Sequence, residues 1–210
     1  MRASATLTTA LAAAAALLLT ACGSDAQPSG TIKGAQTGAP PTPSPSVADA
    51  AHRPKITLPS DVHYIFENTS TGDAVKDAIW HDTAQLIMTQ DEAIAEENPR
   101  LPALLYYSTE LGQAAYSRSV EWYMSHGHSI TGTDRYYAPN ITVGNDTASL
   151  KYCSDESKAF DKVRKTGEVL TTPVDINDYV FHIARLKRNP AGVWQTSYIE
   201  TDRGASQCEQ

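Results

Sequence analysis

The chain is poor in cysteine, in basic side chains and in every aromatic type except tyrosine, and each shortage removes a class of function. Its 17 Lys and Arg stand against 24 Asp and Glu, a formal net charge of −7. Without a basic footprint, nucleic acid is excluded as a partner. Only three cysteines occur, at Cys22, Cys153 and Cys208, and none sits in a Cys-x-x-Cys or Cys-x-x-His pattern. That speaks against a metal centre, and no cofactor is expected. No internal repeat is present. No aromatic residue precedes Tyr64, so the first quarter of the chain holds little from which to build a core.

What the N-terminus does have is MRASATLTTALAAAAALLLTA, with Arg2 ahead of an Ala/Leu/Thr stretch that carries no charge until Asp25. A membrane span needs about 20 strongly apolar residues, and Ala and Thr supply little. An uncleaved anchor helix is therefore the second reading, behind a secretory signal peptide over residues 1–21. Leu19-Thr20-Ala21-Cys22 resembles the bacterial lipobox. The resemblance implies that Cys22 takes a diacylglyceryl group on sulfur and becomes the first residue of the mature protein. A thiolate is the natural nucleophile for that alkylation, and two acyl chains give a lasting hold where one does not. The expected address is the extracytoplasmic face of a bacterial cell membrane, with the membrane itself as a partner through the lipid. Cleavage removes Arg2, leaving one basic side chain fewer than the 17 of the full chain.

With Cys22 acylated, Cys153 and Cys208 remain in an oxidising compartment, where disulfides persist. Two buried free thiols are the alternative. A bridge between them closes a loop of 55 residues, worth roughly 4 kcal/mol in the chain-entropy account.

Residues 22–60 are rich in Pro, Gly, Ser, Thr and Ala, including PPTPSPS, and cannot offset their ordering entropy. They are expected to form a disordered, semi-stiff tether, followed by one domain over 61–210. That domain begins with helical periodicity. Val75, Ile79, Leu86, Ile87 and Ile94 recur near 3.6 residues with acids assigned to the opposite face, Ser70, Thr71 or Asp73 can cap, and Asn98-Pro99 stops the helix. LPALLYY is a short segment. STELGQAAYSRSVEWYMSHGH predicts a second long helix with Leu111, Ala115 and Trp122 on one face, ending at Gly127. Strands follow: SITGTDRYYAPNITV, the turn Gly144-Asn145-Asp146, TASLKYC, and a hairpin of YVFHIARLKR and VWQTSYIETDR around Asn189–Gly192. Residues 154–173, with the basic cluster Lys158, Lys162, Arg164 and Lys165, are expected to be a long solvated loop with a short strand near 168–170. Helices first and an antiparallel meander last is an α+β order.

This arrangement resembles the nuclear transport factor 2-like (cystatin-like) superfamily, and most closely actinobacterial secreted lipoproteins of that kind. The features that carry it are the lipobox through Cys22, the Pro-rich tether, PALLYY between helices, NDTASLKYCSDES with Cys153, Thr166-Gly167, the LKRNPAGVW hairpin and Cys208. The resemblance implies helices packed in a curved, cone-shaped antiparallel sheet. Enzymes of the superfamily, such as ketosteroid isomerase and polyketide cyclases, use carboxylates, Tyr or His lining the cone. No such set can be placed residue by residue here, so no catalytic residue is assigned.

Three side chains are candidates for lining a pocket. In YVFHIAR, alternation puts Val180, His182, Ala184 and Leu186 on one face, so an inward His182 is conceivable as a general base; a core histidine satisfied by one hydrogen bond is the commoner outcome. Trp194 and Tyr198, four apart, are taken to share a face and to floor an apolar pocket, though core packing explains them equally. His126-Gly127-His128 offers two imidazoles with no third ligand at metal spacing, and no metal is assigned. The expected function is a non-catalytic, membrane-anchored binding or adaptor domain for an unidentified protein or small apolar ligand. The alternatives are a cyclase- or isomerase-like enzyme using the cone, and a scaffold subunit that forms a homodimer.

Overall fold

Asp73 opens the first helix by accepting from the N–H groups of Val75 and Lys76, the two-donor cap that an acidic N-cap provides. The structure is a computed structural model and describes residues 52–209. The signal-like segment, Cys22 and most of the tether lie outside the described residues.

Strand β1 (Val62–Phe66) leads into three helices, α1 (Ala74–Ala95), α2 (Pro102–Tyr107) and α3 (Glu110–His126). Five strands follow: β2 (His128–Val143), β3 (Thr147–Val163), β4 (Val169–Leu170), β5 (Tyr179–Arg188) and β6 (Trp194–Arg203). They form one sheet in the order β1-β2-β3-β5-β6, with β4 added to β3. All pairs are antiparallel except β1 with β2, because the helices make the crossover that a parallel pair needs. The fold is α+β, helices packed in a curved sheet that is antiparallel apart from β1.

The predicted apolar stripe of α1 is buried: Ile79, Leu86, Ile87 and Ile94 are all in the core. The face opposite is not simply polar and solvated, however. Asp82, Asp91 and Glu92 are buried too. Two of them hold the chain ahead of β1. Arg53 donates to Asp82, whose second oxygen accepts from the Trp194 N–H at 2.9 Å, and the Thr57 N–H donates to Glu92 at 2.7 Å. Residues 53–60 are therefore strapped along α1, and the folded part starts ahead of residue 61, because buried carboxylates on the helix need these donors.

Three further expectations are corrected. On α3 the buried face is Gly112, Tyr116 and Val120; Leu111 is 66% exposed and Trp122 46%. A side chain at Gly112 would place Cβ 2.3 Å from the Thr196 carbonyl oxygen, so the bare glycine lets α3 lie directly on β6 and sets the helix's rotation. Residues 154–163 are strand rather than loop, since β3 runs 17 residues and pairs with β2 to its end, His128 opposite Val163. Two members of the basic cluster are accordingly engaged, while Lys158 and Lys165 are exposed. Lys162 meets Asp61 at 2.5 Å, and Arg164 donates to the carbonyls of Ile94 and Ala95 at the end of α1, satisfying acceptors that a helix C-terminus leaves open.

Arg185 pairs with Tyr198 while Leu186 pairs with Thr196, so Ser197 is an extra residue on β6. A bulge of one residue reverses the faces beyond it. Trp194 points into the core, buried with Trp80, Leu150 and Leu186, whereas Tyr198 is on the outer face under Arg185 with its hydroxyl donating to Glu200. The two do not share a face.

On the outer face Cys153 and Cys208 are joined (Cα–Cα 5.5 Å) and cluster with Tyr137, Tyr179, Phe181 and Ala205. Tyr137 donates its hydroxyl to the Cys208 carbonyl. The bridge thus pins the C-terminal turn Ser206–Cys208 onto the back of the sheet.

Candidate functional site in the cone

Between the helices and the concave face lies a cavity of about 860 Å³. Strand alternation decides what reaches it. Asp134 and Tyr136 enter from β2, Tyr152 and Glu156 from β3, Val180 and His182 from β5, and Thr201 and Arg203 from β6. Asp91 enters from α1 and Tyr116, Trp122 and Tyr123 from α3. The cone is not filled by side chains.

Two bulges aim the polar groups. Thr133 pairs with Lys158 and Arg135 with Asp155, so Glu156 and Ser157 together oppose the single residue Asp134. Tyr137 pairs with Cys153 and Asn140 with Lys151, so Ala138 and Pro139 oppose Tyr152, with Ala138 in a left-handed conformation at φ 52°. Across the strands, Tyr64 is in register with Asp134 and Val180 with Arg203. The result is a band of ionisable groups running Tyr64, Asp134, Glu156, Arg203 across the sheet, with Asp91 above it on the helix.

Their electrostatics differ. Glu156 is paired with Arg203 at 2.6 Å. Asp91 accepts from the Tyr64 hydroxyl; burial nevertheless pushes its carboxyl up to about 7, with the Glu156 charge adding to the rise. Asp134 is pushed up to about 8, by burial first and then by repulsion from Glu156 and Asp91. Its Oδ1 is buried and has no hydrogen-bond partner, an uncommon state for a buried polar atom. Burial and the neighbouring acids also hold the Tyr136 and Tyr123 phenols protonated.

His182 does face the cavity, but not as a base. Its Nε2 lies 2.9 Å from Ser154 Oγ, its ring stacks on Tyr152 at 4.5 Å, and burial lowers its pKa to about 3, aided by Arg203. It is neutral throughout the physiological range. Trp194 and Tyr198 are not among the lining residues. His126 stacks on Trp122 at 4.2 Å, and His128 Nδ1 is 3.3 Å from Asp161; among the described residues no group of three or more His, Cys, Asp or Glu is placed to hold a metal.

The groups that sequence reasoning misses are Asp91, Asp134, Glu156 and Arg203. Asp91 carries a signal: it is four residues after Ile87 and three before Ile94, inside the apolar stripe of α1. Asp134 is two residues before the buried Tyr136, on the same strand face. Glu156 and Arg203 have no such marker, because the bulge and the full length of β3 decide where they point.

No protein-family model matches the sequence, and no curated protein matches it. Solved structures do. A ketosteroid isomerase-like protein from Erwinia carotovora is 14% identical, with a TM-score of 0.43, covering 62% of this chain and 97% of its own. A protein of unknown function with a cystatin-like fold from Nostoc punctiforme is 11% identical, with a TM-score of 0.39, covering 65% and 95%. A nuclear transport factor 2-like protein with a cystatin-like fold from Novosphingobium aromaticivorans is 16% identical, with a TM-score of 0.38, covering 67% and 96%. The structural neighbours of this chain are thus nuclear transport factor 2-like and cystatin-like proteins.

Proposed function

We propose that the domain is a small-molecule binding module, carried on the extracytoplasmic face of a bacterial membrane by a lipid on Cys22. The observation that carries the binding reading is the open cavity of about 860 Å³ with an unpartnered carboxylate oxygen in its wall. That volume lies in the range of ordinary ligand pockets, which are mostly apolar with a few placed polar groups. The disulfide lies on the opposite face of the sheet and supports a structural role. The anchor rests on the Leu19–Cys22 motif and the apolar leader before it.

Ala115 lines the cavity from α3, so Ala115→Phe fills space while replacing none of the acids. Protein purified from its own membranes should release, on denaturation, a small molecule that the Ala115→Phe protein lacks. Identical extracts from the two, with the variant's circular dichroism unchanged, would sink the binding reading.

A turnover reading, isomerase- or cyclase-like, is favoured by one observation: Asp91 and Asp134 are both poised near neutrality, where a carboxyl can exchange protons. It requires chemical conversion of the bound molecule that Asp91→Asn abolishes while binding persists. Conversion at an unchanged rate in that variant would remove Asp91 as the acid–base group.

A further inference from the structure

The cavity's walls and its charges point to one chemical class of ligand. Among the described residues five acids line it, Asp91, Asp134, Glu156, Asp161 and Asp178, against a single cationic side chain, Arg203. Arg203 is already engaged: Glu156 holds its Nη2, and its Nη1 donates to the Asn177 carbonyl at 2.7 Å. His182 carries no charge. The acids are not all occupied in turn. Asp161 has His128 beside it and Asp91 has Tyr64, but the buried Oδ1 of Asp134 has none. Around these groups stand the aromatic side chains of Tyr116, Trp122, Tyr123, Tyr136 and Tyr152.

Aromatic faces attract cations through their quadrupoles, worth about 0.5–2 kcal/mol per ring. A buried carboxyl without a partner has a free acceptor position that only a donor or a positive charge satisfies well. An anionic ligand meets the opposite conditions, repelled by the acids and offered one arginine that is already paired.

We propose that the cone is a receptor for a small organic cation, an amine or quaternary ammonium with an apolar body, its positive end against Asp134 and its body among the tyrosines and Trp122. This deepens the binding reading and rests on it. The raised pKa of Asp134 then has a use. At neutral pH burial and the charges of Glu156 and Asp155 on β3 and Asp91 on α1 keep that carboxyl protonated in the empty site, against the opposing pull of Arg203 on β6, with the phenols of Tyr64 and Tyr136 also facing it. An opposite charge within about 4–6 Å favours the ionised form by 1–3 pKa units. Cation binding therefore expels a proton, and affinity rises with pH until the empty site itself ionises near 8.

The test uses the full chain and three probes by titration calorimetry: benzyltrimethylammonium, its neutral carbon isostere neopentylbenzene, and phenylacetate. The cation should bind at least ten-fold more tightly than the isostere, phenylacetate should be the weakest, and cation affinity should climb several-fold from pH 6 to pH 8. Heats in buffers of different ionisation enthalpy should show proton release. Asp134→Asn should erase the preference for the cation while leaving the isostere's affinity within about two-fold, which also shows that the variant is folded. Equal binding of cation and isostere, or preference for phenylacetate, overturns the proposal and leaves the binding reading standing. No binding of any probe overturns the proposal, and with identical extracts from the Ala115→Phe protein it removes the binding reading as well.

Discussion

Neutralising Asp134 should stabilise the protein, and the pH dependence of that gain tests the electrostatics of the cavity. In the fold its carboxyl titrates at about 8, against an ordinary value of 3.8. The folded pKa is raised, so the folded form keeps a proton that the unfolded chain loses near pH 4. The contribution to stability is fully present below the unfolded pKa and is lost as pH rises through the folded one. A pKa difference of one between the folded and unfolded chain corresponds to about 1.36 kcal/mol, so by pH 7 roughly 4 kcal/mol has been forfeited, as an upper figure in a cavity that admits water. Asp134→Asn keeps the shape and removes the titration. Urea denaturation at a series of pH values is the assay. The variant and the parent should differ little at pH 4, and the variant should be more stable by about 2–4 kcal/mol at pH 7.5. A difference independent of pH would rule out a raised Asp134 pKa. So would a parent that gains on the variant as pH rises, since Asp134 would then be an ionised and well-satisfied carboxylate.

Other perturbations follow from the packing. Gly112→Ala forces a methyl against the Thr196 carbonyl and must lift α3 from β6; a loss of about 1–3 kcal/mol is expected, and an unchanged melting temperature would contradict the close approach. Replacing Cys153 and Cys208 together by Ser should cost roughly 4 kcal/mol while leaving ligand affinity intact, because the bridge is on the outer face; altered binding in a folded variant would contradict that separation. Cys22→Ser should leave the protein unacylated and release it from membranes, read by intact mass and fractionation; a Cys22 found unmodified in the parent would refute the lipid anchor.

The legible parts of the fold are those where local chemistry and periodicity agree. Asp73 caps α1, its apolar stripe is buried, Gly127 ends α3 at φ 65°, and Asn189–Gly192 turns the last hairpin. The face of α3 escapes the pattern because Gly112 contributes by having no side chain, which a hydrophobic periodicity cannot register. SDESKAFDKV reads as loop because its strand character comes from pairing with β2 rather than from its own residues. Simple alternation puts Tyr198 beside Trp194, because a bulge at Ser197 leaves no mark in the sequence. The acids of α1 read as solvated for the ordinary reason that acids seldom go inside unpaired. Asp91 is buried nonetheless, with the Tyr64 hydroxyl as its partner, and Asp134 on β2 has a buried oxygen with none; departures of this kind gather where function overrides stability. Alternation places His182 on the correct face, yet burial and its hydrogen bond to Ser154 make it part of the wall rather than a base.

A small ligand held in the cone against Asp134 should survive gentle purification. The most direct test is a crystal structure of the protein isolated from its own membranes, without exposure to added amines. Ordered density is expected inside the cavity, with an amine nitrogen or the methyl groups of a quaternary ammonium against Asp134 Oδ1 and an apolar portion against Tyr136, Tyr152 or Trp122. A cavity closed by its own side chains, or one holding only water with Asp134 unpartnered, would contradict it.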